Sequence, residues 1–172
     1  VKAPQDVRFV EKFIHNGGSF VYCGTKNELV ESLKNIIDEH ELLSIGSPDS
    51  KLLSFLEDNK IPKVGKILSD CDSICTNCEA LITFNGGIMI NEHQTNGVRM
   101  DDMPKYHIVI GKTSQLVENL HGAMSRVNQL YRNERPSQIS VLKGPKDEQV
   151  IQASADPNKN RKLFLLFIED SF

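Results

Sequence analysis

Apolar residues along this chain recur at two different periods, and the places where the period changes mark its elements. Between Gln5 and Asn16, Val10, Phe13 and Ile14 share one helical face, and Gly17-Gly18 ends that helix. Phe20 to Cys23 reads as a short strand. Thr25-Lys26-Asn27-Glu28 is a capping-box pattern, followed at helical spacing by Leu29, Leu33, Ile36 and Ile37. Leu42 to Ile45 predicts the next strand, after which Ser47 can cap and Pro48 can open a helix carrying Leu52, Leu53 and Leu56. The middle of the chain holds an apolar strand from Ala80 to Phe84, a glycine turn at Gly86-Gly87, a second apolar strand through Ile90, a polar loop with Arg99, and a third strand opened by Pro104 and His107. Thr113 is expected to cap a long helix whose stripe is Leu116, Leu120, Met124, Val127 and Tyr131. Leu163 to Ile168 is apolar at every position, the mark of a strand buried on both faces. The segment from Asp147 to Arg161 is polar and shows no period.

Strands alternating with helices predict an α/β fold, a mostly parallel sheet with helices on both faces, in one domain spanning residues 1–172. Ligands of such sheets bind beyond the carboxyl ends of the strands. The composition agrees, with 39% hydrophobic and 25% charged residues, while a net charge of -3 offers no attraction to nucleic acid or an anionic membrane. No apolar run approaches the roughly 20 residues that span a bilayer, and Val1-Lys2-Ala3-Pro4 has no signal-like apolar run, so a cytoplasmic protein is expected.

Candidate chemistry gathers around the glycine turn. A turn of this kind lets backbone approach a ligand closely, and a nearby guanidinium can grip a carboxylate or phosphate through two hydrogen bonds. Asn85, Gly86, Gly87 and Arg99 are therefore the candidate ligand contacts. His107 joins them, although a histidine opening a buried strand reads first as a hydrogen-bonded core residue. No catalytic set is identified. The nearest acidic side chains, Glu79 and Glu92, belong to no recognisable motif. Gly111-Lys112-Thr113 resembles the end of a phosphate-binding loop, but the glycine required five residues earlier is Tyr106 and the intervening residues belong to a strand. Cys71, Cys75 and Cys78 have a spacing that could hold a cluster or, with Cys23, zinc. Packing as small apolar residues at a strand entry is the favoured reading of Cys75 and Cys78, and neither a metal nor a cofactor is expected.

The order of these segments resembles the lactate-utilisation (LUD) domain family. The run from Cys75-Thr-Asn-Cys78 through Gly86-Gly87-Ile-Met-Ile, Gly97-Val-Arg99, Met103-Pro104-Lys-Tyr-His107 and Thr113-Ser-Gln carries the resemblance, with Gly17-Gly18 and Lys162 to Asp170 in their expected places. It implies a fold similar to ribose-phosphate isomerases, glucosamine-phosphate deaminases and CoA transferases, and a role beside iron–sulfur partner proteins in oxidising L-lactate to pyruvate. The chain departs from the family pattern near the expected site. Asn85-Gly86-Gly87 stands for Thr-Gly-Ser or Thr-Gly-Thr, and Gly97-Val98-Arg99-Met100-Asp101 stands for Gly-Arg-Arg-Leu-Ser. Only Gly144-Pro145 remains of a later Gly-Pro-Ser element, and a final His-Gly-Pro has no counterpart around Ala155-Asp156-Pro157. These losses point to an accessory subunit that binds a small anion or a partner protein. The alternative is an independent enzyme acting on a phosphorylated or CoA-linked substrate.

Overall fold

The computed structural model describes residues 3–144 and 161–170. Most of the polar stretch from Asp147 to Arg161, together with Pro145 and Ala155 to Pro157, lies outside the described residues. Five strands form one wholly parallel sheet in the order β1-β9-β6-β3-β2: β1 Ser19–Cys23, β2 Ile45–Gly46, β3 Ser73–Asn77, β6 Tyr106–Lys112 and β9 Lys162–Ile168. Strand β9 lies between β1 and β6 with Leu165 opposite Val109, which is why its side chains are apolar on both faces.

One face of this sheet, with Cys75, Ile108, Ile110, Phe164 and Leu166, packs against α2 Lys26–Glu39 and α3 Ser50–Asp58. The other face, with Val109, Leu163, Leu165 and Phe167, packs against α1 Gln5–His15 and a second sheet. That second sheet has the order β7-β4-β5-β8 and contains the expected hairpin, β4 Ala80–Ile82 paired antiparallel to β5 Gly87–Ile90, flanked by β7 Leu116–Val117 and β8 Ser140–Leu142. Its far side, Ala80, Ile82 and Met89, is covered by Ala123 and Val127 of α5 Leu120–Leu130. The α/β fold, its mostly parallel sheet and the helices on both faces are thus as the sequence predicts.

Local chemistry corrects several boundaries. Helix α1 buries Phe9 and Phe13, rings 5.9 Å apart, while Ile14 is 53% exposed; the apolar face is rotated one position from the expected one. Thr25 does cap α2, accepting from the Glu28 amide at 3.1 Å, but Glu28 reaches past it to the Gly24 amide. The expected strand from Leu42 shrinks to Ile45–Gly46 because the Leu43 and Ser44 amides donate to the Asp72 carboxylate instead of a neighbouring strand. Asp49, not Ser47, caps α3. The long helix expected from Thr113 begins only at Leu120, where Asn119 accepts from the Gly122 amide at 2.9 Å; Leu116 and Val117 pair with β4 instead.

Candidate functional site

The glycine turn between β4 and β5 is built for packing. Gly86 has a φ of +68°, and a Cβ there would lie 2.7 Å from backbone atoms of Lys12 and Phe13, so the turn presses on α1 at a distance only glycine allows. Asn85 stabilises the same turn: its Oδ1 accepts from the Gly87 amide at 2.8 Å, and its carbonyl accepts from Asn16 Nδ2 at 2.7 Å. A Cβ on Gly87 would meet Val141 of β8 at 2.5 Å. Close backbone approach, the property that marked these residues in the sequence, serves α1 and β8.

Arg99 lies elsewhere. It lines an open cavity of about 370 Å³ together with the polar residues Thr95, Asp101, Gln138 and Ser140. Ile90, Val98 and Met100 supply the apolar part of the wall. Gly87 and Ile90 occupy opposite ends of β5, about 10 Å apart at the usual strand rise, so the turn and the cavity are separate features. Of the five residues proposed from the sequence, Arg99 lines this cavity, whereas Asn85, Gly86, Gly87 and His107 do not.

The segment that carries Arg99 is fastened by buried polar groups. After β5 the chain turns through a short helix, α4 Glu92–Thr95, capped by Asn91, whose amide in turn donates to Gln94 Oε1 at 2.8 Å. Both capping residues are held from below by Glu79. Its Oε1 accepts from Asn91 Nδ2 at 3.0 Å and from Gln94 Nε2 at 3.5 Å, and the Tyr131 hydroxyl also hydrogen-bonds this carboxylate. Burial and that hydrogen bond push the Tyr131 hydroxyl up to about 12. The His93 ring stacks on Tyr131 with centroids 4.0 Å apart. Asn96 and Gly97 then take left-handed conformations, with φ of 52° and 79°, and swing the chain into Arg99 and a 3-10 turn, Met100–Asp102.

Glu92 ties in the opposite wall by accepting from the amide and hydroxyl of Ser137, just before Gln138 and Ser140. Arg161, nearly buried, donates to the carbonyls of Met100 and Met103 and fixes the 3-10 turn to the start of β9. Glu79 and Glu92, the carboxylates the sequence offered for chemistry, thus both build the wall. Removing Glu79 would leave three buried or half-buried donors without their acceptor. Glu79→Ala is expected to lower stability by about 2–3 kcal/mol in urea unfolding, with Glu79→Gln losing less.

Arg99 and Asp101 face each other across 3.7 Å, with side chains 72% and 59% exposed. Such a pair stabilises the fold by at most about 1 kcal/mol and leaves both groups able to exchange partners. The cavity sits on the loop entering the amino end of β6 and beside the amino end of β9, where the Lys162 amide donates to the Lys105 carbonyl at 3.0 Å. Parallel sheets usually bind at the opposite edge. Here that edge is occupied by its own carboxylates: Asp49 accepts from Asn77 Nδ2 at 3.2 Å, and Asp170 accepts from both the Thr113 hydroxyl and the Ser114 amide at 3.0 Å. Asp170 thus takes up the hydrogen-bond donors that follow Gly111-Lys112.

His107 is 1% exposed in the middle of the parallel sheet, with Nε2 2.7 Å from the Thr76 hydroxyl on β3. Burial first, and then the charge of Arg161, hold it down at about 3. Among the described residues its Nδ1 has no hydrogen-bond partner. The candidate ligand contact is therefore a neutral histidine of the sheet interior. The cysteines do not converge: Cys75 faces the α2 and α3 layer, Cys78 faces the α1 layer, and Cys71 Sγ donates to the Ile67 carbonyl. Burial pushes both the Cys75 and Cys78 thiols up to about 12, so at neutral pH both are neutral, packed thiols.

Residues 50–162 match the model of the LUD domain. No curated protein matches the chain. Among solved structures, a DUF162 family protein from Deinococcus radiodurans is similar over 98% of this chain and 99% of that one, with a TM-score of 0.67 and 14% identity, a likeness that shows the fold. A ribose 5-phosphate isomerase from Plasmodium falciparum is similar at a TM-score of 0.30 and 17% identity, over 67% of this chain and 55% of that one, too loosely to bear on fold or activity. The family match takes in the hairpin, the Arg99 loop and strand β6 and extends over more than half of the sequence; the chain belongs to the LUD domain family.

Proposed function

We propose that this protein is a divergent lactate-utilisation protein, related to protein C of that family, that binds a small carboxylate in the Arg99 cavity. It acts as an accessory subunit without a catalytic set of its own, beside iron–sulfur partners, in the oxidation of L-lactate to pyruvate. Family membership supports the lactate connection. The observation that carries the binding role is the placement of Arg99: among the described residues lining the cavity it is the cation, on a backbone fixed by Arg161 and by the α4 cap. The accessory character follows from the fate of the nearby carboxylates. Glu79 and Glu92, the carboxylates nearest the glycine turn that an enzyme acting on a phosphorylated or CoA-linked substrate would call on, are committed to the wall, and Asp101, the carboxylate that lines the cavity, faces Arg99. A cytoplasmic location belongs to the same reading, in keeping with four free cysteines.

A thermal-shift screen against L-lactate, pyruvate, sugar phosphates and CoA esters tests it. A ligand at about 100 times its dissociation constant stabilises by about 2.7 kcal/mol, a shift of several degrees for a chain of this size. The expected result is a shift with small carboxylates that Arg99→Ala abolishes while leaving the unliganded melting temperature within about 1–2 °C, since the side chain is mostly exposed. A response to sugar phosphates or CoA esters alone would transfer the protein to the enzyme reading.

A further inference from the structure

We infer that Asn96, followed by Gly97, is a site of spontaneous deamidation in the folded protein, giving aspartate and isoaspartate on the loop that carries Arg99. The sequence contains three Asn-Gly pairs, Asn16-Gly17, Asn85-Gly86 and Asn96-Gly97, and such a pair suits this reaction because glycine puts no side chain in the way of its own amide nitrogen. That nitrogen attacks Cγ of the asparagine. A bond forms between Gly97 N and Asn96 Cγ, the Cγ–Nδ2 bond breaks, and Nδ2 leaves as ammonia with the proton of the Gly97 amide, closing a succinimide ring. Water then adds to either ring carbonyl. Opening at Cγ leaves an aspartate, and opening at the former backbone carbonyl leaves an isoaspartate, in which the main chain runs through the side chain. Water is the one co-reactant.

The fold separates the three pairs. The Gly17 amide donates to the Ile14 carbonyl at 2.9 Å, and Asn16 Nδ2 donates to the Asn85 carbonyl at 2.7 Å. The Gly86 amide donates to the Ile82 carbonyl at 2.9 Å, Asn85 Oδ1 accepts from the Gly87 amide at 2.8 Å, and the buried Gly86 is pressed against α1. At both pairs the attacking nitrogen and the side-chain amide are already held. Asn96-Gly97 is the opposite case. Both residues are exposed, the Gly97 amide and the Asn96 side chain have no hydrogen-bond partner among the described residues, and a Cβ on Gly97 would meet nothing within 4 Å. Attack requires Asn96 to rotate out of its φ of 52° and ψ of 39°. What resists is the Asn96 amide donating to the Glu92 carbonyl at 2.8 Å and the Val98 amide donating to the Thr95 carbonyl at 3.0 Å, at the end of a four-residue helix facing solvent, the kind of segment that opens locally most readily. The product adds one negative charge to a chain of net charge -3, and isoaspartate lengthens the backbone between Thr95 and Val98, two residues of the cavity wall. The reaction is independent of what that cavity binds.

Peptide mapping by mass spectrometry of the full chain, held folded in mildly alkaline buffer and sampled over weeks, reads the reaction at each pair. Cleavage after Glu11, Glu28, Glu79, Glu92 and Glu118 places the three asparagines on separate peptides. Each conversion raises the mass of its peptide by about 1 Da as an amide becomes a carboxyl group, and labelling by an isoaspartyl methyltransferase identifies the isoaspartate. In the folded protein Asn96 should convert at least about ten times faster than Asn16 or Asn85, because the glycine amides of those two must first be released from their hydrogen bonds. In concentrated urea, where no pair is held by the fold, the three rates should come within about three-fold of one another. Conversion of Asn16 or Asn85 as fast as Asn96 in the folded protein overturns the inference, as does an Asn96 that converts in urea and stays intact in the folded chain.

Discussion

Lowering the pH from 7.5 to 5 should cost the folded protein about 2 kcal/mol through His107 alone. In the native sheet this histidine stays neutral down to about 3, whereas in the unfolded chain it takes up a proton near 6.5. Between those values the unfolded state binds more protons, so stability falls as pH falls, and the loss levels off once the native histidine also titrates. Above pH 6.5 both states are neutral there and the contribution vanishes. The other histidines, His15, His40, His93 and His121, are exposed, whereas His107 is enclosed in the sheet. Glu92 and Asp170, held below the ordinary carboxylate range by hydrogen bonds from Ser137 and Ser114, lose their contributions only at lower pH. Urea unfolding at a series of pH values reads the slope directly. His107→Gln, which keeps a polar group for Thr76, should flatten the curve between pH 7.5 and 5; an equally steep curve in that variant would place the acid sensitivity elsewhere.

The second large effect is expected at Gly86. Alanine there incurs the left-handed backbone cost of about 1–2 kcal/mol and places its Cβ 2.7 Å from the backbone of Lys12 and Phe13, which are in a helix that cannot yield locally. Together these should destabilise Gly86→Ala by roughly 3 kcal/mol, a drop of about 6–12 °C in Tm for a chain of this length. Gly97→Ala is the control. It shares the left-handed φ, at +79°, but a Cβ there meets nothing within 4 Å, so it should lose only the backbone part. Equal losses in the two variants would mean that contact with α1 is not what fixes the turn.

The elements legible in the sequence are those whose signal is local. Helix α2 announces itself through Thr25 and a four-residue apolar stripe, β9 through six consecutive apolar residues, and the hairpin through glycines between two apolar runs. Strand β3 escaped notice because Ser73-Ile-Cys-Thr-Asn mixes polar and apolar residues; its Ser73 and Thr76 are buried by pairing with Ser44 and His107, partners that only the folded sheet supplies. The helix start was misplaced because Thr113 is a good cap by composition, yet its hydroxyl is already donated to Asp170, distant in sequence, and β4 captures Leu116 and Val117 before the helix can begin.

The candidate site divides in the same way. Arg99 was visible as an arginine in a polar loop close to a glycine turn. Its cavity was not, because the facing wall at Gln138 and Ser140 is brought there by Glu92 binding Ser137 across 45 positions of sequence. The glycine signal was real, but its cause was the helix packed against the turn, and no local pattern distinguishes a glycine that admits a ligand from one that admits a helix.

The most direct test of the central claim, that the Arg99 cavity is where this LUD-family protein takes a small carboxylate, is residue-resolved chemical-shift mapping of the backbone amides during titration with pyruvate, L-lactate and L-alanine. Perturbations should concentrate at Thr95, Val98 to Asp101, Gln138 and Ser140, with the glycine turn at Asn85 to Gly87 unmoved. Shifts concentrated instead at the carboxyl edge, around Gly24, Asn77 and Thr113, or no saturable shift with any of the three, would contradict it.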